Sequence, residues 1–196
     1  MKLYVKKGFK EIVSMVLAAV LLCGCSQGPA PEFTSGPDAE LEQLADAVLR
    51  RILPAGATAQ EQVECIYAWA RQELCYTNHF SERDWHKAAY LMLTQYHGDC
   101  FGYFAVTKLL LERLGIPNID VRKVKNFEGD SDHFWSLVSV DGGKSYYHFD
   151  ATPRIGEGDD FCLVTDGFLD AYSAAHKNSH HRNPALYPQT PVSTLK

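Results

Sequence analysis

The sequence has no excess of basic residues and no apolar run long enough to span a membrane. Lysine and arginine total 19 against 24 aspartate and glutamate residues, a formal net charge of −5. Phosphate recognition needs a basic surface, so this composition argues against nucleic acid as a partner. The apolar run from Ile12 to Leu22 is shorter than the roughly 20 residues of a transmembrane helix. The sequence also has no internal repeat.

The N-terminal residues have the pattern of a secretory signal. Four lysines precede the apolar run, which has the length of a signal peptide's hydrophobic core. Leu22-Cys23-Gly24-Cys25 resembles a bacterial lipobox, in which the last cysteine becomes the lipidated N-terminus after cleavage. We therefore predict a signal peptide over residues 1–24 and an extracytoplasmic lipoprotein anchored to the membrane through Cys25. Cleavage as an ordinary signal peptide nearby is the alternative.

The remaining chain is predicted to contain one domain between two polar segments. Residues 1–24 carry a net charge of +3, so their removal takes the formal charge from −5 to −8. Residues 25–37 are rich in glycine and proline and predict a flexible tether. Residues 38–175 are enough for a single domain with its own core. Residues 176–196 contain three prolines and are predicted to be a surface or disordered tail.

Apolar residues recur at helical spacing in four segments. They cover residues 38–52, 58–74, 85–93 and 100–114. Asp38 is predicted to cap the first helix, and Thr58-Ala59-Gln60-Glu61 is a capping-box pattern for the second. Gly115 and Pro117 stand where residues that follow a helix end are expected. Cys100 is therefore predicted to lie in the first turn of the fourth helix.

β-branched and aromatic residues are concentrated after these helices. Such runs cover residues 119–124, 134–140 and 146–152 and predict strands. Asp166 is predicted to cap a last helix that ends at Ala175. Helices followed by antiparallel strands are typical of an α+β domain.

The six cysteines do not form an obvious disulfide framework. Cys23 is predicted to be cleaved off and Cys25 to be acylated, and a nucleophilic Cys100 would leave at most one disulfide. Cys65 and Cys75 are predicted to lie on one helix about 15 Å apart, which is too far for a bridge. Both are predicted to be core residues.

Cys100 has the position of a cysteine nucleophile. A free thiol has a pKa of about 8.5, and a helix N-terminus stabilises the thiolate. The amide of Cys100 itself is a candidate oxyanion donor. The alternative is a small apolar residue packed beneath a helix start.

His133 and Asp150 are predicted to lie on one face of a hairpin. If Asp141-Gly142 is a two-residue loop, the two residues face each other directly. If the loop centres on Gly142-Gly143, they become diagonal neighbours on the same side. In both registers the carboxylate can hold the imidazole tautomer and stabilise its charged form. Hairpin spacing does not say whether this pair reaches Cys100.

Four short motifs resemble those of the bacterial transglutaminase-like superfamily. They are Gly98-Asp99-Cys100-Phe101-Gly102-Tyr103-Phe104-Ala105, Leu114-Gly115-Ile116-Pro117, Asp132-His133-Phe134-Trp135 and Phe149-Asp150-Ala151-Thr152-Pro153. The resemblance covers the chain from about Thr58 to Pro153. It implies a papain-like α+β core in which the nucleophile's helix packs on an antiparallel sheet.

The resemblance also implies the roles of the site residues. Cys100 would be the nucleophile, His133 the base and Asp150 the orienting acid, without metal or cofactor. An upstream side chain would complete the oxyanion site, with Trp85 as the candidate and Tyr76 as the alternative. The expected substrate is an amide bond of a protein or peptide, cleaved through a thioester. Water is favoured over an amine as acceptor, because a transferase must exclude water.

Three other functions fit parts of the sequence. A cell-wall endopeptidase of the other bacterial papain-like family would also place its cysteine after an aspartate, but typically uses a different third residue than Asp150. A non-catalytic surface module could keep the fold. A zinc enzyme built on the histidines of the tail would use His176, His180 and His181, but no carboxylate motif accompanies them. Among the remaining histidines, His97 is the one expected to line the cleft.

Overall fold

Four helices come first along the chain. In a computed structural model of the protein, residues 37–153 and 160–195 are described, so the predicted signal peptide and Cys25 lie outside the described residues. The helices are α1 (Pro37–Ile52), α2 (Ala59–Glu73), α3 (Trp85–Gln95) and α4 (Cys100–Arg113). All four were predicted, with ends that differ by at most a few residues.

The helix starts follow from side-chain capping. Thr58 and Glu61 form the predicted capping box of α2, which satisfies two backbone N–H groups that have no partner inside the helix. Asp84 caps α3 by accepting a hydrogen bond from the Lys87 N–H. α1 begins at Pro37, one residue before the predicted cap Asp38, and the side chains of both residues lie outside the described part of the structure. Proline suits the first turn, since its fixed φ is helical and its missing N–H would have no partner there.

The second half of the chain forms an antiparallel sheet. Two short strands, β1 (Cys75–Tyr76) and β2 (His97–Gly98), come before it in the chain. The strands of the sheet are β3 (Asn118–Arg122), β4 (Phe134–Val138), β5 (Tyr147–Phe149) and β6 (Cys162–Val164), in that spatial order. The first three were predicted. The short apolar β6 was not, because a run of a few apolar residues carries no periodic signal.

The last helix, α5 (Asp166–Ala175), follows β6 directly. Its N-cap is Thr165, whose side chain accepts from the Phe168 N–H. The prediction of Asp166 as the cap was therefore wrong by one residue. The Asp166 carboxylate instead contacts His148, Arg182 and Thr190.

The β4–β5 hairpin adopts the register that centres on Gly142-Gly143. Leu137 pairs with His148, and Val138 pairs with Tyr147. Both glycines have positive φ, +75° and +91°, a region that glycine enters without steric cost. The two-residue Asp141-Gly142 loop is therefore not formed, and His133 and Asp150 are diagonal neighbours.

The sheet is covered on both faces. Phe134 and Val138 pack in the large apolar cluster formed with α1 to α4. Trp135 and Leu137 belong to a second cluster that includes Leu169 and Tyr172 of the last helix, α5. This alternation is the period of two expected of a strand. The molecule is an α+β fold, as predicted, with helices on each side of the sheet.

Two cysteines lie elsewhere than predicted. Leu74 ends α2 with an extended backbone, so Cys75 lies beyond the helix in β1 (Cys75–Tyr76), which pairs in parallel with β2 (His97–Gly98). Cys75 is exposed and Cys65 is only half-buried, so neither is a core residue. Cys65, Cys75, Cys100 and Cys162 are all free thiols.

Most of the C-terminal segment lies on the surface, which is one of the two predicted alternatives, but buried side chains attach it to the domain. The Val124 N–H donates to the His181 carbonyl at 2.7 Å. Arg182 is buried and pairs with Asp166 and Asp170. His180 is fully buried. The domain therefore extends past Ala175.

Within the described ranges, no helix is both long and apolar enough to cross a bilayer.

Candidate active site

Cys100 is the first residue of α4, and Asp99 determines where this helix starts. The Asp99 carboxylate accepts hydrogen bonds from the N–H groups of Phe101 and Gly102, at 2.9 and 3.2 Å. Its other oxygen pairs with Arg83 at 2.8 Å. This cap holds the helix start, and with it the backbone of Cys100, in one position.

The thiol of Cys100 lies against the beginning of β4. Its Sγ is 3.7 Å from the Asp132 carbonyl oxygen, and the Phe134 N–H is near enough to lower the thiol pKa. These two residues flank His133 in sequence. The thiol is therefore next to the backbone that carries the imidazole.

The environment of Cys100 disfavours an isolated thiolate. Burial raises the pKa of the Cys100 thiol to about 12, and the negative charges of Asp99 and Asp150 act in the same direction. The Phe134 N–H and Arg83 lower this pKa by smaller amounts. The predicted stabilisation by the helix start is thus opposed by burial. A nucleophilic Cys100 would need a base to take its proton.

His133 is joined to Asp150 by a short hydrogen bond. The distance from His133 Nε2 to Asp150 Oδ2 is 2.7 Å, and both residues are buried. Asp150 lies just after β5, and its Oδ1 accepts from the Thr152 N–H at 3.0 Å. Because Nε2 faces the carboxylate, Nδ1 is the ring nitrogen that remains to exchange a proton with a thiol.

The Asp150 carboxyl group is ionised although it is fully enclosed. Burial opposes ionisation, but the charge and hydrogen bond of His133 and the hydrogen bond of His180 outweigh it. Together they hold the pKa of Asp150 well below its usual value. A carboxylate in this state can only accept hydrogen bonds, so it keeps a proton on Nε2 of His133.

Trp85 is not positioned to serve Cys100. It lies at the start of α3, stacks on His86, and has the Lys108 Nζ 5.1 Å from its ring. Lys108 is eight residues after Cys100, about 12 Å along α4. The prediction of Trp85 as the oxyanion side chain therefore has no geometric support.

Tyr76 is the better placed of the two oxyanion candidates. Its backbone pairs with Gly98, two residues before Cys100. Its ring lies 6.4 Å from that of Tyr103 in the first turn of α4 and is 44% exposed. The amide of Cys100 is the other candidate donor, because the first N–H groups of a helix have no acceptor within it.

The three histidines of the C-terminal segment point to different places. His176 Nδ1 contacts the Tyr172 carbonyl, and His181 Nδ1 contacts Asn126. His180 Nε2 instead lies 3.0 Å from Asp150 Oδ2. These three do not form one cluster. His97, expected at the cleft, is exposed and contacts the Gln95 carbonyl.

Sequence reasoning did not connect His180 with Asp150, because it considered this residue only as a zinc ligand beside His176 and His181. His180 lies in a polar segment without periodicity, so no local pattern marks it. His133, Asp150 and His180 form a buried group whose potential ligand atoms lie within 4.8 Å of one another. Two imidazoles and a carboxylate are a donor set that zinc accepts. Here, however, the Nε2 atoms of both histidines already form hydrogen bonds with the Asp150 carboxylate.

Comparison with known proteins places the chain in a family. Residues 46–151 match the family model described as the transglutaminase-like superfamily, a region that contains Cys100, His133 and Asp150 and covers more than half of the chain. The chain belongs to the transglutaminase-like superfamily. The matched region of this transglutaminase-like chain ends before His180.

Solved structures resemble the transglutaminase-like chain at low identity. A candidate cysteine protease from Cytophaga hutchinsonii is 20% identical, with a TM-score of 0.44, over 58% of this chain and 37% of its own. A structure named as a TGase is 15% identical, with a TM-score of 0.44, over 78% of this chain and 39% of its own.

A candidate protease from Parabacteroides distasonis is 16% identical, with a TM-score of 0.42, over 59% of this chain and 23% of its own. The match thus spans less than two fifths of the length of each of these three proteins. The comparison with curated proteins gives no match.

Proposed function

We propose that this chain is an exported, lipid-anchored cysteine enzyme that cleaves amide bonds of proteins or peptides through a thioester on Cys100. One observation carries the enzymatic part. The Cys100 thiol contacts the backbone on both sides of His133, and His133 is hydrogen-bonded at 2.7 Å to the ionised Asp150. The lipobox-like Leu22-Cys23-Gly24-Cys25 supports the anchor.

The first chemical step transfers a proton and forms a bond. His133 takes the thiol proton while Cys100 Sγ attacks the amide carbonyl carbon, and the developing imidazolium is stabilised by Asp150. The raised pKa of Cys100, about 12, is the reason that this base is needed. His133 then gives its proton to the departing nitrogen, the C–N bond breaks, and a thioester remains.

The second step resolves the thioester. A water molecule loses a proton to His133 and attacks the acyl carbon, which releases a carboxylic acid and regenerates the thiol. An amine in the place of water would form a new amide. We propose hydrolysis, because Cys100 is only partly buried, and water is present wherever an exported protein works.

The proposal is tested with casein as a general substrate in water enriched in ¹⁸O. Wild-type protein is expected to generate new peptide termini whose carboxylates carry one ¹⁸O from solvent, and Cys100→Ala is expected to generate none. Cys65→Ala, which changes a half-buried cysteine of α2, is the control and should keep full activity. Equal turnover by wild type and Cys100→Ala would contradict the proposal.

The acceptor is decided in the same reaction by adding a primary amine. Hydrolysis predicts that ¹⁸O-labelled carboxylates remain the main product at millimolar amine. Quantitative incorporation of the amine at glutamine side chains, without ¹⁸O, would show a transferase instead.

A further inference from the structure

His180 is a second imidazole on the carboxylate that His133 uses. Its Nε2 lies 3.0 Å from Asp150 Oδ2, the same oxygen that His133 Nε2 contacts at 2.7 Å. The two rings meet edge to face, with centroids 5.0 Å apart. His180 is 0% exposed and lies outside the region matched by the family model.

The tautomer of His180 follows from its partners. An ionised Asp150 only accepts, so the contact at Nε2 requires a hydrogen on that nitrogen. A neutral ring then accepts at Nδ1, and the Ser179 hydroxyl lies 3.1 Å away to donate there. The backbone N–H of His180 donates to Ser173 Oγ at 2.9 Å. Both ends of the ring and its backbone are therefore held.

Aromatic side chains enclose the His180 ring on several sides. Phe161 stacks against it at 5.4 Å, and Trp135 and Tyr172 approach it edge-on at 5.1 and 5.9 Å. Trp135 also stacks on His133 at 5.6 Å. The ring cannot leave Asp150 without opening this packing, so its hydrogen bond is a fixed feature of the site.

Among the described residues, three donors help to fix the position and charge of the Asp150 carboxylate. Thr152 holds Oδ1, and His133 and His180 share Oδ2. Because His180 shares Oδ2 with His133, its hydrogen bond restrains rotation of the carboxylate about χ2 and so helps to fix the direction of the His133 ring. The third donor also favours the ionised form of Asp150, because each hydrogen bond to a charged acceptor stabilises the charge.

We propose that His180 is a positioning residue of the active site, which holds the Asp150 carboxylate ionised and oriented so that His133 stays aligned with Cys100. The proposal rests on the proposed function, in which His133 exchanges a proton with the thiol. It assigns a role in the chemistry to the C-terminal segment, and it predicts that the domain without this segment is impaired even where it folds.

The test uses the alkylation of Cys100 by iodoacetamide as a function of pH, since this readout needs no substrate. His180→Phe keeps an aromatic ring but removes the donor, and His180→Gln keeps an N–H group near the place of Nε2. We expect His180→Phe to slow alkylation at neutral pH by about ten- to a hundredfold, as for loss of a hydrogen bond to a charged group. We also expect its rate to fall at a higher pH than in wild type, because Asp150 then protonates more easily. His180→Gln should recover most of the rate.

His148 supplies the matched control. It is buried like His180, accepts at Nδ1 from Trp135 Nε1 at 3.0 Å, and contacts Asp166 through Nε2 at 2.9 Å. His148→Gln should lower the melting temperature without moving the pH profile of Cys100. Ser179→Ala keeps the His180 ring and removes only the hydroxyl group at Nδ1, so this variant remains informative if His180→Phe does not fold. It should slow the alkylation of Cys100 about threefold.

Several outcomes would overturn the inference. The first is an alkylation rate and pH profile equal to wild type in folded His180→Phe or in Ser179→Ala. The second is a loss of alkylation rate in His148→Gln as large as that in His180→Phe. The third is a stoichiometric zinc ion that wild type binds and His180→Phe does not. A bound ion would make the three side chains ligands instead of hydrogen-bond partners. If His180→Phe slows the alkylation of Cys100 as expected but wild type does not cleave casein, the proposed function is refuted and this inference stays intact.

Discussion

At Cys100, two local effects act in opposite directions. The start of α4 favours a thiolate, whereas burial and two nearby carboxylates raise the thiol pKa to about 12. On the proposed function, this balance makes the reactivity of Cys100 depend on proton transfer to His133. A cysteine that was merely packed under the helix would show no such dependence.

The first prediction compares Cys100 with Cys75 in the same molecule. Cys75 is exposed and serves as an internal reference, whereas Cys100 is partly buried. In wild type we expect iodoacetamide to modify Cys100 at least tenfold faster than Cys75 at neutral pH. In His133→Ala the order should reverse, because the thiol keeps its raised pKa and loses its base. Peptide mapping by mass spectrometry gives both rates, and an unchanged order would return Cys100 to a packing role.

The second prediction concerns Asp150. Asp150→Asn keeps the shape of the side chain but removes the charge that supports protonated His133. Turnover should fall by about three to four powers of ten, as in serine triads, while the fold persists. Adding His133→Ala to Asp150→Asn should cost little more, since residues that act as a unit are not additive.

Asp120→Asn is the control for Asp150→Asn, because it changes an exposed carboxylate that pairs with Lys108. It should retain full turnover. Full activity in Asp150→Asn, or losses in the two single variants that simply add in the double variant, would be incompatible with a shared catalytic unit.

Among the secondary-structure elements, α4 carries the proposed nucleophile, Cys100, and Asp99 has two effects on it. As N-cap, the Asp99 carboxylate stabilises the helix start. As a charge, it is among the groups that raise the pKa of Cys100. The two effects can be separated because asparagine is also a good cap but is neutral.

The third prediction uses this separation. Asp99→Asn should keep the melting temperature close to wild type, lower the pKa of Cys100 and speed its alkylation. Asp99→Ala should lose about 1 kcal/mol or more of stability through the lost cap. Asp84→Asn, at the cap of α3, is the matched control and should leave Cys100 unaffected. Slower alkylation in Asp99→Asn would contradict the prediction. It would show that the ion pair between Asp99 and Arg83 affects the reactivity of Cys100 more than the negative charge of Asp99 does.

For the molecule as a whole, Asp166 links the sheet to the C-terminal segment. Its hydrogen bond with His148 lowers the pKa of Asp166, burial opposes this, and the Thr190 N–H and the charge of Arg182 lower it further. A depressed carboxyl pKa contributes stability above the unfolded value of about 3.9 and loses it as pH falls below. The attachment of the segment should therefore weaken in acid.

The fourth prediction follows from this sign. Wild-type free energy of unfolding should decrease between about pH 5 and pH 3, and Asp166→Asn should be less stable at neutral pH but lose less over this interval. Chemical denaturation at several pH values measures both slopes, and Asp120→Asn should match wild type. Parallel curves for wild type and Asp166→Asn would contradict the linkage.

The fifth prediction concerns the proposed anchor. Cys25→Ser should block lipidation, so the protein either leaves the detergent phase or keeps its signal peptide. Cys23→Ser, two residues earlier, should still be processed and anchored. Detergent partition and the intact mass of the mature protein distinguish these results, and an unchanged partition of Cys25→Ser would remove the lipoprotein from the proposal.

Local sequence patterns were enough for the helices, three strands and three residues of the candidate site. Caps such as Thr58 with Glu61 act over a few residues, so they can be recognised without the fold. His133 and Asp150 are joined by one hairpin, and the period of two places them on one face in either register. Cys100 at a helix start is equally local, because Asp99 and the apolar stripe that follows are contiguous with it.

Only tertiary structure decided the contacts between distant segments. The position of Sγ against Asp132 and Phe134 depends on how α4 packs on the sheet, and so does the burial that raises the thiol pKa. Trp85 and Tyr76 could not be ranked until the helix and strand that carry them were in place. His180 reaches Asp150 across 30 residues of sequence, because the segment after α5 folds back over the sheet. Its burial follows from long-range packing, which has no period that a sequence displays.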